Sequence, residues 1–276
     1  MILSFAPVAS MGAAPLALAL GSMLVYAVAA LPAKPGSRLP EVALALGWML
    51  HAVLLALDVG GWGRLEPGAR LGFGPVLSLT VWLVLAVHTV ESRFVPLSGV
   101  RRVLAFSGAV AVLLAWAFPG EVRPSSNVWA PVHWVLGVAS YALFGAAVLH
   151  ATMLDSAERQ MRLRAGAALA PARGPMGLPL LRLERLTFRF VEAGFVVLTG
   201  ALVLGFVTAA QWQWNHKTVF SLLGWAVFAA LLAGRRWRGW RGRRATRWLY
   251  VGALLLLLAY VGSRFVFEVV LGRVSV

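Results

Sequence analysis

The sequence predicts an all-α fold: a polytopic integral-membrane helix bundle of about eight transmembrane helices, N-out and C-out. Composition is the first reason. Of the 276 residues 60% are hydrophobic and 13% charged, and the mean hydropathy is +0.81. One soluble core could not hide that much apolar surface, whereas a bilayer solvates it at about 20 residues per span. The second reason is segmentation into eight apolar runs, at roughly 10–32, 41–60, 72–91, 101–118, 130–153, 190–210, 217–234 and 246–266. The third is the placement of the 25 Lys and Arg residues. Alternate connections hold Lys34 and Arg38, then Arg93, Arg101 and Arg102, then seven arginines from Arg159 to Arg189 and seven from Arg235 to Arg247. Only Arg64, Arg70, Arg123, Lys217, Arg264 and Arg273 remain for the other side. The positive-inside rule assigns the first set to the cytoplasm and both termini to the outside.

That distribution also interprets the net charge of +15. A basic chain invites a nucleic-acid partner, but basic clusters at a cytoplasmic membrane boundary fit topology and anionic lipid better. Membrane lipids are therefore expected partners and nucleic acid is not. Cysteine is absent, which removes disulfides, thiolate metal sites and catalytic thiols. Ligand chemistry falls to five histidines and ten acids.

The first run follows ten residues with no basic n-region and is longer than a signal-peptide hydrophobic core, so it is expected to remain as a span. It ends at the turn-forming Leu31-Pro-Ala-Lys-Pro-Gly36. The second run carries His51 near its middle and Asp58 toward its outer end. An imidazole at that depth needs partners that lipid does not offer. His51 is therefore either a ligand or a neutral ring hydrogen-bonded to a neighbouring helix. The third run has His88 beside Glu91 at its inner end, where a structural role is the simpler one. The fourth has no internal ionisable group and reads as scaffold. His133 opens the fifth and His150 closes it, 17 residues apart. That spacing is about 25 Å of helix and about 100° around the axis, so these two cannot share one ligand.

The longest connection, 155–189, begins as a helical extension and is broken by Pro171, Gly174, Pro175, Gly177 and Pro179. Its last part, about 178–189, carries Arg182, Arg185 and Arg189 at helical spacing and is expected to lie as an amphipathic helix in the inner headgroup layer. Arg235 to Arg247, interleaved with Trp237, Trp240 and Trp248, reads as topology and interface anchoring. The last run ends in Tyr260-Val-Gly-Ser-Arg-Phe-Val266, with Arg264 at the outer boundary, where it could snorkel to water or pair with an anionic ligand.

Chemistry concentrates in Gln211-Trp-Gln-Trp-Asn-His-Lys217, a short polar stretch between the sixth and seventh runs. Trp212, Trp214, His216 and Lys217 supply two flat aromatic faces, an imidazole and an ammonium, which suits a flat, anionic, metal-bearing ligand such as haem. The alternative is a Trp belt of the kind found at any membrane boundary. His216 precedes a helix start, where backbone N–H groups and the positive helix end favour a negative group such as a propionate.

These residues carry a family resemblance. Trp212-x-Trp214-Asn215-x-Lys217 resembles a degenerate form of the Trp-rich motif ending W-x-W-D-x-K-E of the cytochrome c assembly family, the CcsA-type and HemX-like haem-handling membrane proteins. His133, with Tyr141 eight residues on, resembles the histidine that opens a span before that motif. Phe73-Gly-Pro-Val-Leu-Ser-Leu and Tyr260-Val-Gly-Ser resemble further family segments. His216 to Trp225, Gly262 to Val266 and the eight-span layout are similar to the small bacterial YpjD branch. Asn215 stands where larger members have Asp, His216 where they have Pro, and Thr218 where they have Glu.

The resemblance implies a bacterial inner-membrane, multi-pass protein that handles b-type, non-covalent haem. It implies an accessory to cytochrome c biogenesis rather than a complete synthase, with apocytochrome or other maturation proteins as further partners. In this reading His133 and His216 are axial ligands to one haem at the outer face, and Trp212 and Trp214 cover the porphyrin. Lys217 and Arg264 hold propionates, Tyr141 belongs to the site, and His51 marks a second, transient site. Two other functions remain open: an electron carrier with His88 and His150 as an inner haem pair, and a cofactor-free scaffold acting through its cytoplasmic loops. Zinc hydrolysis is not expected, because no His-Glu-x-x-His helix occurs.

Overall fold

The computed structural model describes residues 13–32, 36–58, 69–91, 100–120, 122–123, 129–164, 180–209, 214–262 and 265–266. Within them the chain forms eight α-helices: α1 Ala13–Ala30, α2 Leu39–Asp58, α3 Phe73–Glu91, α4 Arg101–Ala117, α5 Ala130–Arg164, α6 Leu180–Thr208, α7 His216–Arg238 and α8 Gly242–Leu257. A widened π turn, Leu258–Gly262, continues α8. Two-residue strands, β1 Ala69–Arg70 and β2 Val122–Arg123, pair antiparallel. Six of the helices are long and apolar enough to cross a bilayer, and α1 adds a shorter apolar segment, Pro15–Ala30.

The helices follow the expected runs one for one. α5 continues past residue 153 to Arg164, through the helical extension expected at the start of the longest connection. The amphipathic segment expected at about 178–189 is continuous with the sixth run, as the first part of α6, which runs without a break from Leu180. No Gly or Pro interrupts residues 180–193, so nothing ends the helix there. Leu183, Thr187 and Phe188 are buried on its inner side, while Arg182, Arg185 and Arg189 are exposed.

The chain divides into two compact units, Met1–Val128 with Tyr260–Val276, and Trp129–Ala259. In the first, α1 packs on α2 and α4, and α3 packs on α4. The Tyr26 ring of α1 is the wedge: a Cβ on Gly47 of α2 would lie 2.9 Å from it, and one on Gly108 of α4 would lie 2.8 Å from it. In the second unit α5 packs along α6 and α8, and α7 packs along α8 and α6. Its centre is the stacked pair Phe144 and Phe228, with centroids 3.9 Å apart. Gly194 seats the first ring and Gly252 the second. Helices in lipid gain little from hydrophobic exclusion, so close approach over small residues is what brings them together.

α7 shows how local sequence sets the ends of an element. Asn215 is its N-cap, in extended conformation, and accepts from the N–H of Thr218. Gly239 ends it at φ +65°, the left-handed conformation that favours glycine, after Arg235, Arg236 and Arg238 in the last turn.

Candidate haem site at one end of the second unit

His133 lies in the first turn of α5, and its ring is held by α6. Nδ1 is 3.0 Å from the carbonyl oxygen of Ala201. A carbonyl can only accept, so Nδ1 carries the proton and donates it. Nε2 is then the nitrogen with a lone pair, the arrangement that orients a metal-binding imidazole. Gly205, one turn along α6, lies under the ring: a Cβ there would sit 2.9 Å from Cε1 and 3.3 Å from Nδ1.

α6 carries the chain from Ala201 and Gly205 to its end at Thr208, and α7 begins at His216. His133 and His216 therefore belong to the same end of this unit. His216 and Lys217 occupy the first turn of α7, and Trp214, Asn215, His216 and Lys217 are all exposed, Trp214 by 73%. Lys217 is close enough for its charge to act on the His133 imidazole. The Asn215 carboxamide oxygen accepts from the Thr218 N–H and from the Thr218 hydroxyl, both at 3.0 Å. Two departures from the expected motif thus serve one local purpose. Asn215 makes the N-cap bond that an Asp would make, and Thr218 adds its hydroxyl to the same oxygen instead of reaching back to the residue-215 N–H as a capping-box Glu would.

The other expected site residues fall elsewhere. Tyr141 points its hydroxyl at the Leu256 carbonyl, 2.7 Å away, and ties α5 to α8. Trp212 and Arg264 lie outside the described residues. His51 is in the first unit, 1% exposed, and both its nitrogens are engaged. Nδ1 is 3.2 Å from the Tyr26 hydroxyl and Nε2 is 2.6 Å from the Ser78 hydroxyl. Of its two alternatives, this geometry favours the neutral ring bonded to its neighbours, because a ring so held has no lone pair to offer iron without losing a buried bond. One turn away Trp48 and Trp82 stack with centroids 4.8 Å apart, and each indole N–H donates to the other residue's carbonyl. Two polar layers therefore clasp α2 to α3.

His88 belongs to the first unit and His150 to the second. The His150 Nδ1 is 2.7 Å from the Ala146 carbonyl of its own helix, and the ring stacks on Phe190. Below it Asp155 accepts from Thr246 at 3.1 Å and from Tyr250 at 2.8 Å.

Sequence reasoning did not find Ala201, Gly205, Tyr26 or Ser78 as partners. Gly205 left a trace, since a glycine inside an apolar helix costs about 1 kcal/mol relative to alanine and so marks a close approach. Ala201 contributes only a backbone carbonyl, which has no side-chain signature.

Fold and geometry together define a polytopic helical membrane protein with an imidazole, an ammonium and an indole gathered at one end of a four-helix unit. The chain belongs to the cytochrome c assembly family: the family described as Cytochrome C assembly protein matches residues 73–271. Among its relatives, the inner membrane protein YpjD of Escherichia coli K12 is 27% identical over 268 residues, covering 91% of this chain and 98% of that one. The cytochrome c biogenesis protein CcsA of Synechococcus sp. CC9902 is 29% identical, covering 80% of this chain and 93% of its own. CcsA of Prochlorococcus marinus is 23% identical, covering 68% and 70%. No solved structure matches the chain.

Proposed function

We propose that this protein holds a b-type haem non-covalently at the outer end of its second unit, as an accessory of cytochrome c biogenesis in the bacterial inner membrane. The observation that carries the reading is the His133 ring, whose Nδ1 proton is committed to Ala201, leaving Nε2 as a ligand. His216 supplies the second imidazole from the start of α7. Trp214 covers a porphyrin face, and Lys217, beside the positive helix end, holds a propionate. His133 and His216 would hold the haem iron if haem is bound here, and their imidazoles would tune its redox chemistry. The names of the CcsA relatives and the family's description support the part in cytochrome c biogenesis, and apocytochrome or another maturation protein is the partner to which haem would pass.

The test is haem content. Protein purified gently from haem-replete cells is assayed by its oxidised and reduced absorption spectra and by pyridine haemochrome. His133→Ala and His216→Ala are each expected to lose bound haem. Unchanged content in both variants sinks the assignment.

A further inference from the structure

The inner end of the second unit carries a surface that the haem reading does not use. Seven arginines lie between residues 235 and 247, and the structure separates one of them from the rest. Arg235 donates to Glu184 at 3.0 Å and to the Trp240 carbonyl at 3.3 Å, and its guanidinium lies 3.4 Å from the centre of the Phe188 ring. It is neutralised and fixed, and it locks the α7–α8 turn against α6. Trp240 packs on Gly234 and returns its backbone N–H to the Gly234 carbonyl. Gly239 and Gly242, both at positive φ, make the tight reversal.

On this rigid corner Arg236, Arg238, Arg241, Arg243 and Arg244 are exposed. Arg244 is held over the Trp240 ring at 4.4 Å. Trp237 stands among them, 83% exposed. An indole so uncovered beside so many guanidinium groups matches a layer that is apolar on one side and anionic on the other. Leu163 at the end of α5 and Leu181 at the start of α6 are also exposed at this end. A nucleic acid lying in water would neutralise the arginines but leave these apolar groups without a partner.

We propose that the α7–α8 turn is a docking surface for anionic phospholipid of the cytoplasmic leaflet, its phosphodiesters bound by the exposed arginines and Trp237 inserted at headgroup level. Arginine suits this chemistry because its planar fork grips two phosphate oxygens at once, and a juxtamembrane basic cluster concentrates such lipids.

Native mass spectrometry of the full chain in neutral detergent, offered equal phosphatidylglycerol and phosphatidylcholine, tests this. Phosphatidylglycerol adducts are expected to exceed phosphatidylcholine adducts by roughly ten-fold. Arg236→Gln, Arg238→Gln, Arg243→Gln and Arg244→Gln together should abolish the preference, and lysines at the same four positions should retain part of it. Equal binding of the two lipids by the unsubstituted chain, which needs no variant to fold, overturns the proposal. So does a preference that survives the glutamine substitutions. Displacement of phosphatidylglycerol by inorganic phosphate or by an oligonucleotide, at concentrations below that of the lipid, overturns it in favour of free phosphate or nucleic acid.

Discussion

The Asn215 carboxamide oxygen takes both donors of Thr218, its backbone N–H and its hydroxyl, each at 3.0 Å. This pair sets where α7 begins and therefore where His216 and Lys217 stand. The side chain at position 215 is engaged in shaping the backbone under the site.

Removing that cap loosens the first turn of α7. Asn215→Ala is expected to cost about 1 kcal/mol of local stability, seen as faster hydrogen exchange at the amides of Thr218 and Val219, and to weaken haem retention with it. Asn215→Asp should keep both properties. Equal exchange in the alanine variant and the parent would show that the cap does not hold the turn.

Gly205 and Gly200 make a matched pair on α6. A methyl group at Gly205 meets the His133 ring at 2.9 Å, whereas one at Gly200 meets only Leu136 at 4.0 Å. Gly205→Ala should displace the imidazole and lower haem occupancy roughly ten-fold, about 1.4 kcal/mol, with a changed Soret band in what remains. Gly200→Ala should leave the spectrum alone and stabilise the helix by about 0.5–1 kcal/mol. Identical spectra for the two variants would remove His133 from the site.

In the first unit both nitrogens of His51 are engaged, by Tyr26 and by Ser78, so the losses from removing the partners singly should not add up when the whole chain is removed. Tyr26→Phe or Ser78→Ala each strands one buried nitrogen, at about 1–3 kcal/mol. The triple variant carrying Tyr26→Phe, His51→Leu and Ser78→Ala should cost less than the two single losses added together. Thermal unfolding in detergent measures this, and strict additivity would refute the network.

Asp155 joins α5 to α8 through two hydroxyls. Asp155→Ala leaves the Tyr250 hydroxyl without its acceptor and Thr246 with only the Arg243 carbonyl at 3.3 Å, and should destabilise the second unit by about 1–3 kcal/mol, while Asp155→Asn should cost less. Chemical unfolding followed by helical circular dichroism distinguishes them.

Much of the fold was legible because its signals are local. A run of about 20 apolar residues reads as a helix whatever surrounds it, and the eight runs correspond to α1–α8. The continuity of the amphipathic start of α6 with its apolar part was not legible from the arginines, because their periodicity is the same on a separate surface helix and on the first turns of a longer one. Nor was the partner of Glu184, which meets Arg235 across 51 positions of sequence.

The candidate site was legible by residue type and not by geometry. The sequence alone determined that this is a polytopic helical membrane protein and where its imidazoles, indoles and ammonium lie along the chain, because periodicity, hydropathy and charge placement are properties of neighbours. Only the tertiary structure decided which imidazoles are already engaged. His51 meets partners 25 and 27 residues away that occupy both its nitrogens, and His133 meets a carbonyl 68 residues away that occupies one. The physical reason is that a ring's capacity to bind metal depends on the hydrogen bonds its nitrogens have made, and those come from helices that packing alone brings alongside.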